Sequence, residues 1–208
     1  LTTTQISNLA TDQVKALTSA QVKALSSDQV KALSAEQVAS FTTTDIAVLS
    51  SDQISAIGTD QVASLGTTQI QSLSTTVVKS LSTLQLSAMG TDQIKALTAA
   101  QVKSLTSDQI NSLTASNLQA LDASDVAAIN SPVISNISAS QFANLSSTQL
   151  QVLTNAQLRA LTTAQLDNLS TDQVASLTTS EIGVLTSTQI GSLSTDKIAA
   201  LSSAQIQS

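Results

Sequence analysis

The chain is 208 residues long, carries 14 acidic against 8 basic residues for a net charge of −6, and is 41% hydrophobic. It contains no Cys, His, Trp or Tyr and only two Phe, which excludes thiolate nucleophiles, zinc sites and imidazole general bases. Too few cations and aromatic rings are present for the basic stripe or stacking platform of a nucleic-acid binder, or for docking on an anionic membrane surface.

No apolar run is long enough to span a bilayer, so no membrane insertion is expected. No signal peptide is evident, and the chain opens in mid-pattern on Leu1, as a segment of a longer tract or its mature form would. Tracts rich in Ser and Thr are often disordered. Here the charge is low and the apolar residues keep a strict phase, which disorder would not require. An ordered chain is expected.

From Leu1 to Leu201 every eighth residue is a large apolar one, and the chain divides into 26 octads with no insertion or deletion. Position one holds Leu in 21 octads, with Ile57, Ile129, Ile137, Phe41 and Met89 in the others, and position six is apolar throughout. A continuous helix advances about 100° per residue, so eight residues overshoot two turns by about 80° and the apolar stripe would circle the axis. A continuous strand fares no better, because the alternating spacings of five and three are both odd and would put successive anchors on opposite faces. The chain must therefore turn inside each octad.

Within the octad, position two is Ser or Thr in 20 cases, Gly at 58, 66 and 90, Asp122, Asn130, and Ala10 as the exception. These are N-cap residues, whose short polar side chain serves the free N–H groups of a first helical turn. Position five, three residues on, is Gln in 19 octads and Glu181 in another, which completes a capping box. Acidic residues at position four, such as Asp12, suit the positive end of a helix, and Lys at position seven, such as Lys15, lies three residues on and within reach of pairing. Positions one and six then form the hydrophobic staple that sets the angle of chain entry. Ala or Ser at position eight in 19 octads suits close approach of neighbouring turns. Each octad is expected to be one capped helix of about six or seven residues, stable only when stacked, because isolated helices below about 12 residues are marginal. The fold class is all-α, a tight α-solenoid of 26 eight-residue repeats forming one continuous domain over 1–208, with a β-solenoid, suggested by the Thr, Ile and Val content, as the alternative. How many octads complete one coil is left open.

Along the chain, Lys15, Lys23 and Lys31 would form a cationic ladder if successive octads align, with Asp12, Asp28 and Glu36 balancing it. Residues 113–137 are the most irregular, with Asn117 and Asp125 in place of Gln, then Asn130-Ser131-Pro132-Val133. Pro132 falls in a first helical turn, where it is tolerated, so this stretch reads as drift of the repeat rather than as a hinge. Sequons at Asn136, Asn144 and Asn168 arise where position eight becomes Asn and the consensus Ser follows at position two. The acids show no calcium-loop spacing and are spread over equivalent units. No catalytic, cofactor-binding or metal-ligating residue is nominated, no cofactor is expected, and the chain is not expected to be an enzyme.

Leu-Thr-Thr-Ala-Gln-Leu at 161–166 and Leu-Ser-Thr-Asp-Gln-Val at 169–174 resemble the octapeptide tracts of very large bacterial secreted or surface proteins, adhesin-like and RTX-related. The resemblance covers the whole chain and implies a bacterial, exported, rod-like segment with no functional residues to carry over. The expected function is an extracellular spacer, stalk or filament-forming repeat. The alternative is a binding module whose hydroxyl-rich face recognises glycan, ice or a protein. Expected partners are further copies, end to end or side by side, with glycan decoration of the hydroxyls. The last octad ends as regularly as the others, without a polar capping repeat.

Overall fold

A computed structural model describes all residues, 1–208. It holds 26 α-helices, one per octad and numbered α1–α26 in chain order, and no strand. The β-solenoid alternative is therefore not found: the hydroxyl side chains that favour strands are used as helix caps. Thr2 shows how. Its Oγ1 accepts the N–H of Gln5 at 3.1 Å, and Gln5 Oε1 accepts the N–H of Thr2 at 2.8 Å, so two of the orphan donors of a helix start are satisfied reciprocally. The pattern recurs along the chain, with the cap residue always in extended or near-extended backbone.

The helices are shorter than the pattern predicts, four to six residues instead of six or seven. The reason lies at their C-termini. The N–H of position one turns back to the carbonyl of position six, as Leu73 does to Ile70 at 3.2 Å, a tight three-residue closure that ends the helix early. Positions one and two then take extended backbone, such as Leu73 (φ −62°, ψ 135°) and Ser74 (φ −68°, ψ 154°), and redirect the chain into the next helix. No residue needs positive φ, so these turns work without glycine.

Position eight has a role that its small size concealed. Where it is Ser, the hydroxyl donates to the position-five carbonyl of its own helix, as Ser40 does to Gln37 and Ser104 to Gln101, both at 2.7 Å. These carbonyls lie in the last turn, where helical partners run out.

The chain forms two compact units, Leu1–Leu105 and Thr106–Ser208. In the first, α1 (Thr3–Ser7) packs on α4 (Ser27–Lys31), α4 on α7 (Ser51–Ala56), α7 on α10 (Thr75–Ser80) and α10 on α13 (Ala99–Ser104). In the second, α17 (Ser131–Ser135) packs on α20 (Asn155–Ala160), α20 on α23 (Thr179–Val184) and α23 on α26 (Ser203–Ile206). Within each unit the packed helices are three apart in the chain, so three octads complete one coil and the same corner recurs with every third octad.

Positions one and six fill the interior of each unit. In the first, Ile54, Ile70, Leu86 and Ile94 are fully buried and Phe41 takes the place of a Leu. In the second, Ile110, Ile134 and Phe142 are fully buried, Phe142 at a position six otherwise aliphatic. No helix is long and apolar enough to cross a membrane. The helices flanking Pro132 run without a break, and Pro132 sits at the second residue of α17, where its missing N–H costs nothing.

Candidate functional site

The feature repeated most faithfully is not a pocket but a seam. At position five, the Gln side chain uses both ends of its amide. Its Oε1 takes the N–H of its own cap residue, and its Nε2 donates to carbonyls one coil below. Gln85 accepts from Ser82 N–H at 2.8 Å and donates to Ile57 O and Ile54 O, both at 2.8 Å. Gln101 repeats this with Thr98, Leu73 and Ile70, all at 2.8 Å. In the second unit Gln157 accepts from Thr154 N–H at 2.7 Å and donates to Ile129 O at 2.8 Å and Val126 O at 2.9 Å. The acceptors are a position-one carbonyl and the position-six carbonyl before it, 28 and 31 residues back along the chain. A position-one carbonyl precedes the cap and has no helical partner, so the amide from the next coil is what satisfies it.

A second set of bonds runs on the outside, upward from position seven to a position-eight carbonyl in the next coil. Ser55 donates to Ser80 O at 3.3 Å, Gln119 to Asn144 O at 3.1 Å and Gln151 to Ser176 O at 2.6 Å. Within each unit, the hydrogen bonds that tie successive coils are thus made by side chains.

The seam explains what happens where Gln is replaced. Asp45 keeps the cap half, accepting the Thr42 N–H at 3.0 Å and hydroxyl at 2.6 Å, while its other oxygen accepts the Ser19 hydroxyl from the coil below at 2.9 Å. Lys197 keeps the donor half: its ammonium donates to the Asp167 carbonyl and pairs with the Asp167 carboxylate at 3.3 Å. Ser194, its cap residue, makes no side-chain cap bond. Asp122 and Asn130 also fail to cap with their side chains, contrary to their type. In both octads position five is not Gln, but Asp125 and Val133, although Ser74 caps before Val77 and Thr114 before Asn117. Ala10, Gly58 and Gly90 have no cap side chain, yet the Gln half persists, with Gln13, Gln61 and Gln93 accepting their N–H groups at 2.8, 2.6 and 2.9 Å.

Glu181 is the clearest fault in this scheme. Its Oε2 accepts the Thr178 N–H at 2.6 Å, but Oε1, buried where a donor belongs, has no partner. The seam register puts the carbonyls of Leu153 and Leu150 opposite it. Replacing Glu181 by Gln is expected to raise the stability of the second unit by about 1–3 kcal/mol. Urea unfolding of the two proteins checks this, and an unchanged midpoint would show that the seam needs no donor there.

Asp125 is buried in a similar position. Burial pushes its carboxyl above the usual carboxylate range; a hydrogen bond from the Asp122 backbone pulls it back in part, and the Asp122 charge pushes it further up. The folded state therefore holds this proton more firmly than the unfolded chain, and the stability it contributes is lost as pH rises through the raised value. Unfolding midpoints measured from neutral to acid pH should rise on acidification, and Asp125→Asn should flatten that part of the rise.

Three coil corners also rearrange the charges. Lys15, Lys23 and Lys31 fall on three different corners, so the expected ladder does not form; the stacked pair is Lys79 with Lys103, three octads apart. Asp12 and Lys15 both stay exposed and form no ion pair, since an exposed pair gains little from closing. The Asn136 amide is engaged with Pro132 O at 2.8 Å and that of Asn144 with Gln141 Oε1 at 3.1 Å, while Asn168 is exposed. No three acidic side chains converge on one point.

A family model described as the ALTTAQ repeat matches residues 6–43, 41–75, 65–99, 78–115 and 149–179, together well over half of the chain. The unmatched stretch between 115 and 149 is the one in which Asn117, Asp125 and Val133 replace the seam Gln. No curated protein matches the chain.

Proposed function

This chain belongs to the ALTTAQ repeat family, and we propose that its work is structural: a spacer or stalk segment of a bacterial surface or secreted protein, without catalytic activity. The observation that carries this reading is the sameness of the seam. Gln37, Gln61, Gln85 and Gln101 in the first unit, and Gln149, Gln157, Gln165 and Gln189 in the second, make the same bridge to the coil below. A catalytic or ligand site needs a place where departures bring reactive groups together; here the one run of departures, Asn117, Asp125 and Val133, and the isolated ones at Asp45, Val77, Glu181 and Lys197 gather no such cluster. An array whose interfaces mostly repeat one bridge is suited to set a length, since stability and extent both accrue one unit at a time.

Small-angle scattering on chains lengthened by whole coils of three octads tests the reading. The maximum dimension should grow by a constant increment of roughly 10 Å per coil, with an unchanged cross-section. A radius that grows as for a compact globule would overturn it. Protease treatment of intact producing cells tests the surface location, for which the octapeptide resemblance is the support.

One observation favours a second reading. Thr43, Thr67 and Thr91 occupy the same octad position on one corner, and all three are exposed. Such a column of hydroxyls is the surface a binding module for glycan or ice would use. Changing the three to Val should then abolish binding and leave the circular dichroism unaltered.

A further inference from the structure

Where another polar residue replaces Gln at position five, the chain supplies it with a partner. Asp45 receives the Ser19 hydroxyl, and Lys197 brings an ammonium to the Asp167 carbonyl. Glu181 is the exception. Its Oε1 is the one buried side-chain nitrogen or oxygen without a partner, on a residue only 6% exposed.

The surroundings of that atom are oxygens. The octads on either side show the register: Gln173 donates to Leu145 O at 2.7 Å and Ala143 O at 2.9 Å, and Gln189 to Leu161 O at 2.8 Å and Leu158 O at 2.9 Å. The same register sets the carbonyls of Leu153, Gln151 and Leu150 against Glu181. Leu153 precedes the cap residue Thr154, so its carbonyl has no helical partner either. The other carboxylate oxygen takes the Thr178 N–H at 2.6 Å in the first turn of α23, a setting that suits an anion. Among α20, α23 and α26 the one cationic side chain is Arg159, which is exposed at position seven. A buried anion set against backbone oxygens alone is costly unless a positive charge joins it.

We propose that Glu181 Oε1 and the carbonyls of Leu153, Gln151 and Leu150 bind a hard cation of the size of Ca²⁺, with water completing the shell. All the ligands are oxygen, which suits Ca²⁺ or Mg²⁺ rather than a soft metal. Around Ca²⁺, six to eight oxygens at about 2.3–2.6 Å leave neighbouring oxygens roughly 3 Å apart. Seam atoms already meet at that spacing, so the coils need not part. Mg²⁺ demands a near-ideal octahedron, which backbone carbonyls fixed at the end of α19 (Ser147–Leu150) do not offer. With a single carboxylate the site is weak, with a dissociation constant on the order of 0.1–1 mM. The ion braces one seam and takes part in no reaction, so this inference is independent of the spacer reading.

Equilibrium dialysis of the full chain against radioactive Ca²⁺, with ionic strength held by tetramethylammonium chloride, counts the site. The parent should bind one ion more per chain than Glu181→Gln, whose amide brings its own donor. Weak binding to exposed carboxylates is common to both proteins and cancels. Hydrogen exchange places the ion. At ten times the dissociation constant, Ca²⁺ should slow exchange at the amides of α20 and α23 about tenfold in the parent and leave Glu181→Gln unchanged. Mg²⁺ at the same concentration should have neither effect. Equal Ca²⁺ binding by the two proteins, no binding up to about 10 mM, or an equal response to Mg²⁺ would each overturn the proposal. So would a parent that ignores Ca²⁺ and gains the same protection on acidification, because a proton would then serve Oε1.

Discussion

Inserting a complete octad between Ser80 and Leu81 should leave stability within about 1 kcal/mol of the parent, whereas inserting a single Ala there should cost about 3–6 kcal/mol. Three seam bridges cross that point, from Gln85 to Ile57, Gln93 to Leu65 and Gln101 to Leu73. One extra residue lengthens all three spacings and takes each amide off its carbonyls, leaving buried polar groups unpaired. An added octad changes the partners but not the spacing, because every octad offers the same carbonyl to whichever amide comes one coil later. Urea unfolding of the two insertions, compared with the parent, measures the difference. Equal costs would mean that the seam does not set the phase.

The other large effect is expected at a single amide. Gln157→Met keeps the length of a side chain that is only 1% exposed, and removes both ends of its bridge. Ile129 O is then buried without a partner and the Thr154 N–H loses its acceptor, which costs about 2–5 kcal/mol. Val126 O is less affected, because it also accepts the Ile129 N–H. The same change at Gln13 should cost less than about 1 kcal/mol, since water reaches the first coil and serves the Ala10 N–H instead. Because unfolding of a repeat array need not be two-state, hydrogen exchange at the amides near Ile129 is the sharper readout. Comparable losses at both positions would reduce the Gln to a local cap.

That contrast also shows how far the sequence could be read. The staple, the cap at position two and the turn within each octad follow from local chemistry, and local chemistry is legible in one octad at a time. The number of octads per coil is a relation between distant residues. The Lys residues at position seven carry no trace of it, because Lys15, Lys23 and Lys31 sit on solvent-facing corners that are not stacked. A usable signal was present at position five. A capping box accepts Glu as readily as Gln, yet Gln stands there in 19 octads and Glu only at 181. A preference for the amide means that its N–H₂ is needed, and no group inside the octad requires it. The Ser at position eight misled for a similar reason: size and hydroxyl predict different roles, and the bond from Ser40 to Gln37 O shows that the hydroxyl is used. The helices came out short because the closure from position one to position six is a matter of backbone geometry that side chains do not announce.

The claim on which the rest depends is that residues three octads apart lie on one corner of adjacent coils. The chain has no Cys, so pairs of spin labels can be placed cleanly. Thr44, Asp52, Asp60 and Thr68 share octad position four and are all exposed. Labels on Cys at 44 and 68 should show strong dipolar broadening, with corners separated by roughly one helix diameter of about 10 Å. Pairs at 44 and 52, or at 44 and 60, point away from different corners and should show little. Strongest coupling between 44 and 60 would mean two octads per coil and would contradict the account.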